Sequence, residues 1–322
     1  MKRKHKQLLE MAPLTELHGL GTESANPNSV GLDTKSALQI ARIINEEDQK
    51  IAKAVAGQLP AIAKAIEIVA ASLSSGGRLI YVGTGTSGRL GALDSSECPP
   101  TFNADPEMVQ YIIAGGERAL AHAVEASEDS AAEGARDIAK KLPSKRDVVL
   151  GLAVSGRTPY TIGALAYAKK KGAKTIAITG NSGSPITRTA AHSIAVDVGP
   201  EVLAGSSRMK AGTMQKMVLN MISTGAFTRM GTVYSNLMVN LHLKNRKLVE
   251  RGIGIMQQLT GLARDAAVDQ LREAGGSLSV ALVMLQAGVS RRNAEQRLKR
   301  TKGNVRQAIG TPKARKRLIK KV

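Results

Sequence analysis

The sequence predicts an α/β protein: a doubly wound parallel sheet with a helical N-terminal segment and a small C-terminal three-helix module. From residue 78 onward, short apolar runs alternate with helical patterns, which is typical of a parallel sheet with right-handed crossovers. Two of these apolar runs end in turns rich in serine, threonine and glycine. Beyond residue 257 the chain shows only short helical patterns separated by glycines.

The strands are predicted at 78–82, 109–113, 147–154, 174–179 and 193–196, with crossover helices at about 87–94, 117–141, 159–171 and 185–191. Residues 36–74 carry two amphipathic helical patterns divided near Pro60. A long helix is expected at about 208–230 and a second helical stretch at about 236–256. The C-terminal module has predicted helices at 263–274, 278–287 and 291–299 and a final turn at 305–309.

These elements predict four regions. Residues 1–34 are polar and turn-rich and are expected to form an extended arm. Residues 35–256 form the sheet domain, residues 257–310 the C-terminal helical module and residues 311–322 a basic tail. A chain of 322 residues is long enough for one large and one small core.

The composition limits where in the cell the protein is expected and which metals or cofactors it is expected to bind. Cys98 is the single cysteine, which excludes an internal disulfide and a cysteine-cluster metal site. No apolar run approaches the roughly 20 residues that span a bilayer, and the N-terminus lacks the apolar core of a secretory signal. We expect a cytoplasmic protein with no membrane partner, no metal and no cofactor.

The net charge of +20 lies mainly at the two ends of the chain. Residues 1–10 carry a net charge of +3 and residues 291–322 carry +12, which leaves only +5 in between. Basic ends of this kind bind polyanions weakly and without specificity. Aromatic side chains for base stacking are scarce, with five Tyr, two Phe and no Trp. The pattern therefore does not favour a specific nucleic-acid partner.

The two turns point to an anion. The first follows the strand at 78–82 and reads GTGTSGRLG, and the second follows the strand at 147–154 and reads SGRTPY. A helix N-terminus offers unpaired N–H groups and partial positive charge, and glycines let the backbone approach a phosphate. Hydroxyls add further donors, here on Thr84, Thr86, Ser87, Ser155 and Thr158.

A turn of this kind is a weak signal on its own, because it is also a common structural device. No Gly-Lys-Ser/Thr follows the glycines, so the first turn is not a P-loop. A dinucleotide fingerprint lacks a convincing acidic partner for the ribose, since Asp105 and Glu107 precede the next strand instead of ending it. The sequence favours a small phosphorylated ligand at the carboxyl ends of the strands.

Candidate catalytic carboxylates lie in the chain between the two turns. Glu97 stands two residues before Pro99, the first of a proline pair that we expect to end the helix. Glu125 and Glu128 are three residues apart and share a face of a predicted helix. Acidic side chains on helices are usually solvated, and His122 is more simply a surface or packing residue.

Several long motifs resemble those of the N-acetylmuramic acid 6-phosphate etherases, enzymes of the SIS fold that are related to glucokinase regulatory protein. In order they read GTGTSGRLGALDSSECPPTF, AGGE, HAVEASEDS, VSGRTPY and GSSRMKAGTMQKMVLNMISTG. The resemblance runs from about residue 14 to about residue 309. It leaves out the first ten residues and the basic tail.

The resemblance implies a reaction and a site. The lactyl ether at C3 of N-acetylmuramic acid 6-phosphate is cleaved by elimination and then water addition, giving N-acetylglucosamine 6-phosphate and D-lactate. Glu97 is implied as the acid that protonates the leaving oxygen and Glu128 as the base at C2, although their division of labour stays open. The residues implied to bind the substrate and its phosphate are Gly85, Thr86, Ser87, Ser155, Gly156, Thr158, Ser206, Ser207 and Lys210.

The resemblance also implies a homodimer, because SIS folds commonly build their sites between subunits. Three other functions compete. An aldose–ketose isomerase would share the phosphate turns but would not need the second carboxylate. A non-catalytic sugar-phosphate sensor would not need to retain both Glu97 and Glu128. A nucleic-acid-binding protein would depend on its basic tails.

Overall fold

A computed structural model describes residues 21–124, 128–241, 243 and 245–310. The predicted basic tail and the first 20 residues of the predicted arm lie outside these ranges. Residues 21–34 are not extended as predicted, since they form three 3₁₀ turns, Gly21–Glu23, Pro27–Ser29 and Leu32–Thr34. The side chain of Asn26 accepts a hydrogen bond from the N–H of Asn28 and so caps the second turn.

The predicted division near Pro60 is confirmed by helices α1 (Ala37–Ala56) and α2 (Leu59–Ser74). Ser36 and Gln39 form a capping box at the start of α1. Pro60 lies in the first turn of α2, where its missing N–H leaves no intrahelical bond unmade.

Five parallel strands form the sheet: β1 (Leu79–Gly83), β2 (Val109–Ile113), β3 (Val148–Leu152), β4 (Lys174–Thr179) and β5 (His192–Ala195). The five predicted strands are confirmed with ends shifted by one or two residues at most. Their order is β2-β1-β3-β4-β5. The chain leaves β1 toward one edge and returns to β3 on the other side, so the order reverses between these neighbours. Ligands of open α/β sheets bind at such a reversal.

The crossovers are α3 (Gly85–Phe102), α4 (Arg118–Ala121), α5 (Ala131–Lys140), α6 (Pro159–Lys170) and α7 (Pro185–Thr189). The single helix predicted at 117–141 is thus two helices, because residues 122–124 and 128–130 between them are not helical. Residues 125–127, among them Glu125, lie outside the described part of the chain.

The prediction that the proline pair ends the first crossover helix is wrong, since α3 runs through Pro99 and Pro100. The reason is tertiary packing at its last residue, Phe102. That ring is buried and stacks on Phe227, with ring centroids 4.4 Å apart and an angle of 12° between the planes. Helix α3 ends one residue later at Asn103, which has the left-handed φ of 55°.

Helix α8 (Lys210–Met230) confirms the predicted long helix. The second predicted helical stretch begins about ten residues later than the predicted start at about residue 236. The described residues between 231 and 245 are not helical, and α9 spans Arg246–Thr260. The side chain of Asn245 accepts a hydrogen bond from the N–H of Leu248 and fixes this start.

The C-terminal helices are α10 (Arg264–Glu273), α11 (Leu278–Ala287), α12 (Arg291–Arg300) and α13 (Val305–Ile309). They agree with the predicted helices to within one residue. Their apolar core also takes in Val239, Leu241 and residues of α9, so it starts earlier in the chain than the predicted module.

Successive side chains along a strand point to opposite faces of the sheet and pack into two separate hydrophobic cores. Leu79 and Tyr81 of β1 pack on the side of α1, α2 and α8. Ile80 and Val82 pack on the side of α5, α6 and α7. No single helix in the described part of the chain has the length and apolar composition to cross a membrane. Only α1 and α2 taken together do, across a bend of 64°.

Candidate functional site

A cavity of about 250 Å³ opens where β1 and β3 end. The predicted turns meet here, because Gly83 of β1 pairs in register with Leu152 of β3. The lining is mostly hydroxyl groups and backbone, and it contains no Lys or Arg among the described residues. It is formed by Thr22, Glu23, Thr84, Gly85, Thr86, Ser87, Glu128, Ala153, Val154, Ser155, Thr158 and Ser207.

The first turn presents the N-terminus of α3. Its first N–H groups have no acceptor within the helix. Gly85 has a φ of 48°, which favours glycine. A Cβ at Gly85 would lie 3.5 Å from Oε1 of Glu128. The carboxylate of Glu128 therefore lies directly over the turn that is suited to hold an anion.

Ser87 is held from behind by α8. Its buried hydroxyl donates to Oε1 of Gln215 over 3.0 Å, and Gln215 is fully buried. Nε2 of Gln215 has no hydrogen-bond partner among the described residues. If the Gln215 amide is turned by half a rotation, Nε2 donates to Ser87 and the serine proton becomes free to donate to a ligand.

The second turn is built around Gly156. This residue has a φ of 70°, and a Cβ there would lie 2.8 Å from Oγ1 of Thr179 and would overlap the Ser184 side chain. Ser155 and Thr158 flank it and line the cavity. Thr158 precedes α6, but its side chain makes no capping hydrogen bond, so its hydroxyl is available to a ligand.

The two predicted catalytic carboxylates are not together within one chain. The carbonyl of Glu128 accepts the N–H of Tyr160 at 3.1 Å, which ties the crossover to the start of α6 and places the half-buried carboxylate in the cavity. Glu97 lies on α3 about three turns beyond Gly85, or about 18 Å along the helix axis. It is exposed and does not line the cavity.

The third predicted segment reaches the cavity only through Ser207, because Ser206 and Lys210 do not line it. Lys210 is buried, and its Nζ lies 2.6 Å from Oε2 of Glu47 on α1. The carboxylate of Glu201 accepts the N–H groups of Lys210 and Ala211, each at 2.9 Å. The start of α8, where the resemblance places substrate-binding residues, is thus occupied by a carboxylate of the chain itself.

Glu47 stabilises this arrangement as an anion. Burial raises the pKa of its carboxyl, but hydrogen bonds from Lys210, Lys50, Asn28 and Asn26 outweigh burial and lower the pKa from 4.5 to about 2. Lys210 therefore pairs with a carboxylate that is charged at any ordinary pH.

Sequence reasoning missed Thr22 and Glu23, which reach the cavity from the N-terminal 3₁₀ turns. The sequence around Thr22 and Glu23 is polar and rich in turn-forming residues. No local pattern in it indicates a contact with a site about 60 residues away in the chain. Only the tertiary fold brings this segment to the ends of the strands.

The described residues also bear on metal binding and on thiol reactivity. No group of three or more His, Cys, Asp or Glu side chains in the described ranges is arranged to hold a metal ion. Cys98 is buried, and burial, with Asp94 and Glu97 nearby, raises the pKa of its thiol. The thiol therefore stays protonated and unreactive.

The parallel sheet and its two hydroxyl-rich turns are those of a SIS-domain protein. Residues 61–169 match the family model described as glucokinase regulatory protein N-terminal SIS domain, and residues 124–225 match the SIS domain. A phosphoheptose isomerase structure from Francisella tularensis is 20% identical, with a TM-score of 0.46 over 60% of this chain and 100% of that chain.

Sequence relatives define the family more closely. N-acetylmuramic acid 6-phosphate etherase 1 of Bacillus licheniformis is 48% identical over 295 residues, which cover 92% of this chain and 97% of the relative. The etherase of Symbiobacterium thermophilum is 52% identical over 274 residues, which cover 85% and 91%. The chain belongs to the N-acetylmuramic acid 6-phosphate etherase family.

Proposed function

We propose that this protein cleaves the D-lactyl ether of N-acetylmuramic acid 6-phosphate, in the catabolism of cell-wall sugars. The observation that carries the proposal is the position of Glu128, whose carboxylate lies over the anion-binding turn of a hydroxyl-lined cavity. The identity of the substrate is inferred from the family to which the chain belongs. We place the enzyme in the cytoplasm, in keeping with a phosphorylated substrate and a single buried thiol.

The phosphate is bound without a cation from the described lining. The backbone N–H group at Gly85 and the hydroxyls of the two turns, on Thr86, Ser87, Ser155 and Thr158, donate to its oxygens. Gly156 acts by shaping the second turn, because its own N–H donates to the carbonyl of Ala153 at 3.0 Å. Ser207 lines the same cavity and contacts the sugar. Lys210 acts by positioning the start of α8, which it anchors to Glu47, and Ser206 does not line the cavity.

Glu128 is the base of the first step. With the sugar ring open, the C1 aldehyde acidifies the C2 proton, and the Glu128 carboxylate removes it. The electron pair then forms the C2–C3 double bond and the C3–O bond breaks, while an acid protonates the departing lactate oxygen. Water adds at C3 and a proton returns to C2, which gives N-acetylglucosamine 6-phosphate and D-lactate.

A second copy of the chain supplies the acid, Glu97. Within one chain this residue is about 18 Å from the turn and exposed, so it cannot serve its own cavity. Leu93, one turn before it on α3, leaves 51% of its surface exposed. An apolar groove of about 680 Å³ lies between α2 and α8, lined by Leu59, Ile62, Ile66, Met217 and Met221. Exposed apolar surface of this kind suits a homodimer interface.

Solvent isotopes test the reaction. The wild-type enzyme in D₂O containing ¹⁸O is expected to release lactate and to leave deuterium at C2 and ¹⁸O at C3, because both bonds are made to solvent. Glu128→Gln removes the base, so lactate release is expected to fall by about 10²–10⁴-fold. Product mass spectrometry and an enzymatic lactate assay measure both effects.

Glu133→Gln is the matched control, since Glu133 is a nearby glutamate on α5 that pairs with Arg136 at 3.6 Å and lies outside the cavity. It is expected to keep wild-type turnover. Wild-type turnover by Glu128→Gln would contradict the proposed base. Tight sugar-phosphate binding without lactate release by the wild type would instead indicate a sensor.

A further inference from the structure

Thr22 carries a buried hydroxyl for which the described part of the chain provides no hydrogen-bond partner. Only 6% of the residue is exposed, and Oγ1 has no hydrogen-bond partner among the described residues. An unsatisfied buried hydroxyl is unfavourable, and such groups in folded proteins call for an explanation. Thr22 lines the same cavity as Ser155 and Thr158.

The backbone on either side holds Thr22 in place. We call Gly21–Ser29 the N-terminal strap. Nδ2 of Asn26 donates to the carbonyl of Pro200 at 3.0 Å, and Nδ2 of Asn28 donates to Oε1 of Glu47 at 2.8 Å. Cγ2 of Thr22 lies 3.6 Å from where a Cβ on Gly180 would be, just beyond the end of β4. The threonine is therefore fixed against the ends of the strands and is not a loose surface group.

We propose that Thr22 is a further substrate-binding residue, whose hydroxyl donates a hydrogen bond to an oxygen of the bound sugar phosphate. The strap is then part of the site: it lines the cavity through Thr22 and Glu23 and adds one donor to those of the two turns. This inference rests on the cavity being the sugar-phosphate site, as proposed above.

The chain offers a close control. Thr161 on α6 also has a fully buried hydroxyl without a partner among the described residues, but it does not line the cavity. Thr22→Val and Thr161→Val remove the same group and keep nearly the same volume. A purely structural hydroxyl would behave alike in both variants, and its removal would leave ligand affinity unchanged.

The experiment measures the Kd of N-acetylglucosamine 6-phosphate by calorimetry on the full chain, with melting curves to verify folding. Thr22→Val is expected to weaken binding about tenfold or more, since a hydrogen bond to a charged ligand is lost. Thr22→Ser keeps the hydroxyl, so its Kd is expected to stay within about threefold of the wild-type value. The Kd of Thr161→Val is expected to equal the wild-type value.

Ser155→Ala separates this inference from the site proposal. If Ser155→Ala weakens binding and Thr22→Val does not, the role of Thr22 is overturned while the site stands. If neither variant changes the Kd, the cavity is not the sugar-phosphate site and both proposals fail. Equal weakening by Thr22→Val and Thr161→Val would also overturn the role of Thr22, because Thr161 has no access to the ligand.

Discussion

Gly156 combines two requirements at one residue of the second turn. Its φ of 70° is left-handed, and the Ser184 and Thr179 side chains fill the space where a Cβ would lie. Both features favour glycine, but only the close contact with the Ser184 and Thr179 side chains determines how closely the turn approaches β4. The turn also carries Ser155, so its shape sets where one of the proposed phosphate donors lies.

Gly156→Ala is expected to lower the free energy of unfolding by about 3 kcal/mol or more and to weaken sugar-phosphate binding. Gly183→Ala is the matched control, because Gly183 has a φ of 69° with no atom within 4 Å of its would-be Cβ. Its backbone strain alone is expected to cost about 1–2 kcal/mol. Urea denaturation measures both, and equal losses would contradict the crowding argument.

At the scale of elements, Glu47 joins three parts of the chain that surround the site. It lies on α1, pairs with Lys210 at the start of α8, and accepts a hydrogen bond from Asn28 of the N-terminal strap. Since Glu201 caps the same end of α8, two carboxylates hold this end of the helix in place.

This link predicts a dependence of stability on pH. The folded pKa of Glu47, about 2, is below its ordinary value of 4.5. Its contribution of about 3 kcal/mol is therefore fully present above about pH 4.5 and is lost as the pH falls toward about 2. Glu47→Gln is expected to be less stable than the wild type by about 3–5 kcal/mol at pH 7, because Lys210 is left buried without its charge partner.

Urea denaturation between pH 7 and the lowest pH at which the fold persists measures this difference, which is expected to shrink as the pH falls. Glu67→Gln is the control: Glu67 pairs with Arg229 at 3.0 Å, but both side chains are more than half exposed. It is expected to cost no more than about 1 kcal/mol. If the difference in the free energy of unfolding between the wild type and Glu47→Gln stayed constant down to acid pH, the stabilising role of the Glu47 carboxylate would be contradicted.

The same scale shows what the sequence could predict of the fold. All five strands and the C-terminal helices follow from local apolar patterns, since these patterns report directly on burial. The proline pair misled because the packing of Phe102 on Phe227 is a tertiary contact that no local rule contains. The late start of α9 was missed for a related reason, because Val239 and Leu241 are buried by the C-terminal helices without being helical themselves.

At the scale of the whole molecule, the sequence predicted that the two turns lie at the carboxyl ends of parallel strands, whereas Glu128 was implied only by the family resemblance. It did not predict Thr22 and Glu23, which reach the cavity across the fold. It also offered Lys210 to the substrate, whereas the structure buries Lys210 against Glu47. In the homodimer that we propose, the position of Glu97 relative to the cavity depends on the second subunit, and the sequence of one chain does not give the arrangement of two.

The most direct test of a shared site mixes two inactive variants. Glu97→Gln and Glu128→Gln homodimers are each expected to lose lactate release. If Glu97 of one subunit serves the cavity of the other, refolding the two variants together restores one intact site in each mixed dimer. The expected recovery is about a quarter of wild-type activity for equal, random pairing. No recovery, with mixed dimers verified by mass, would contradict a site completed by the partner subunit.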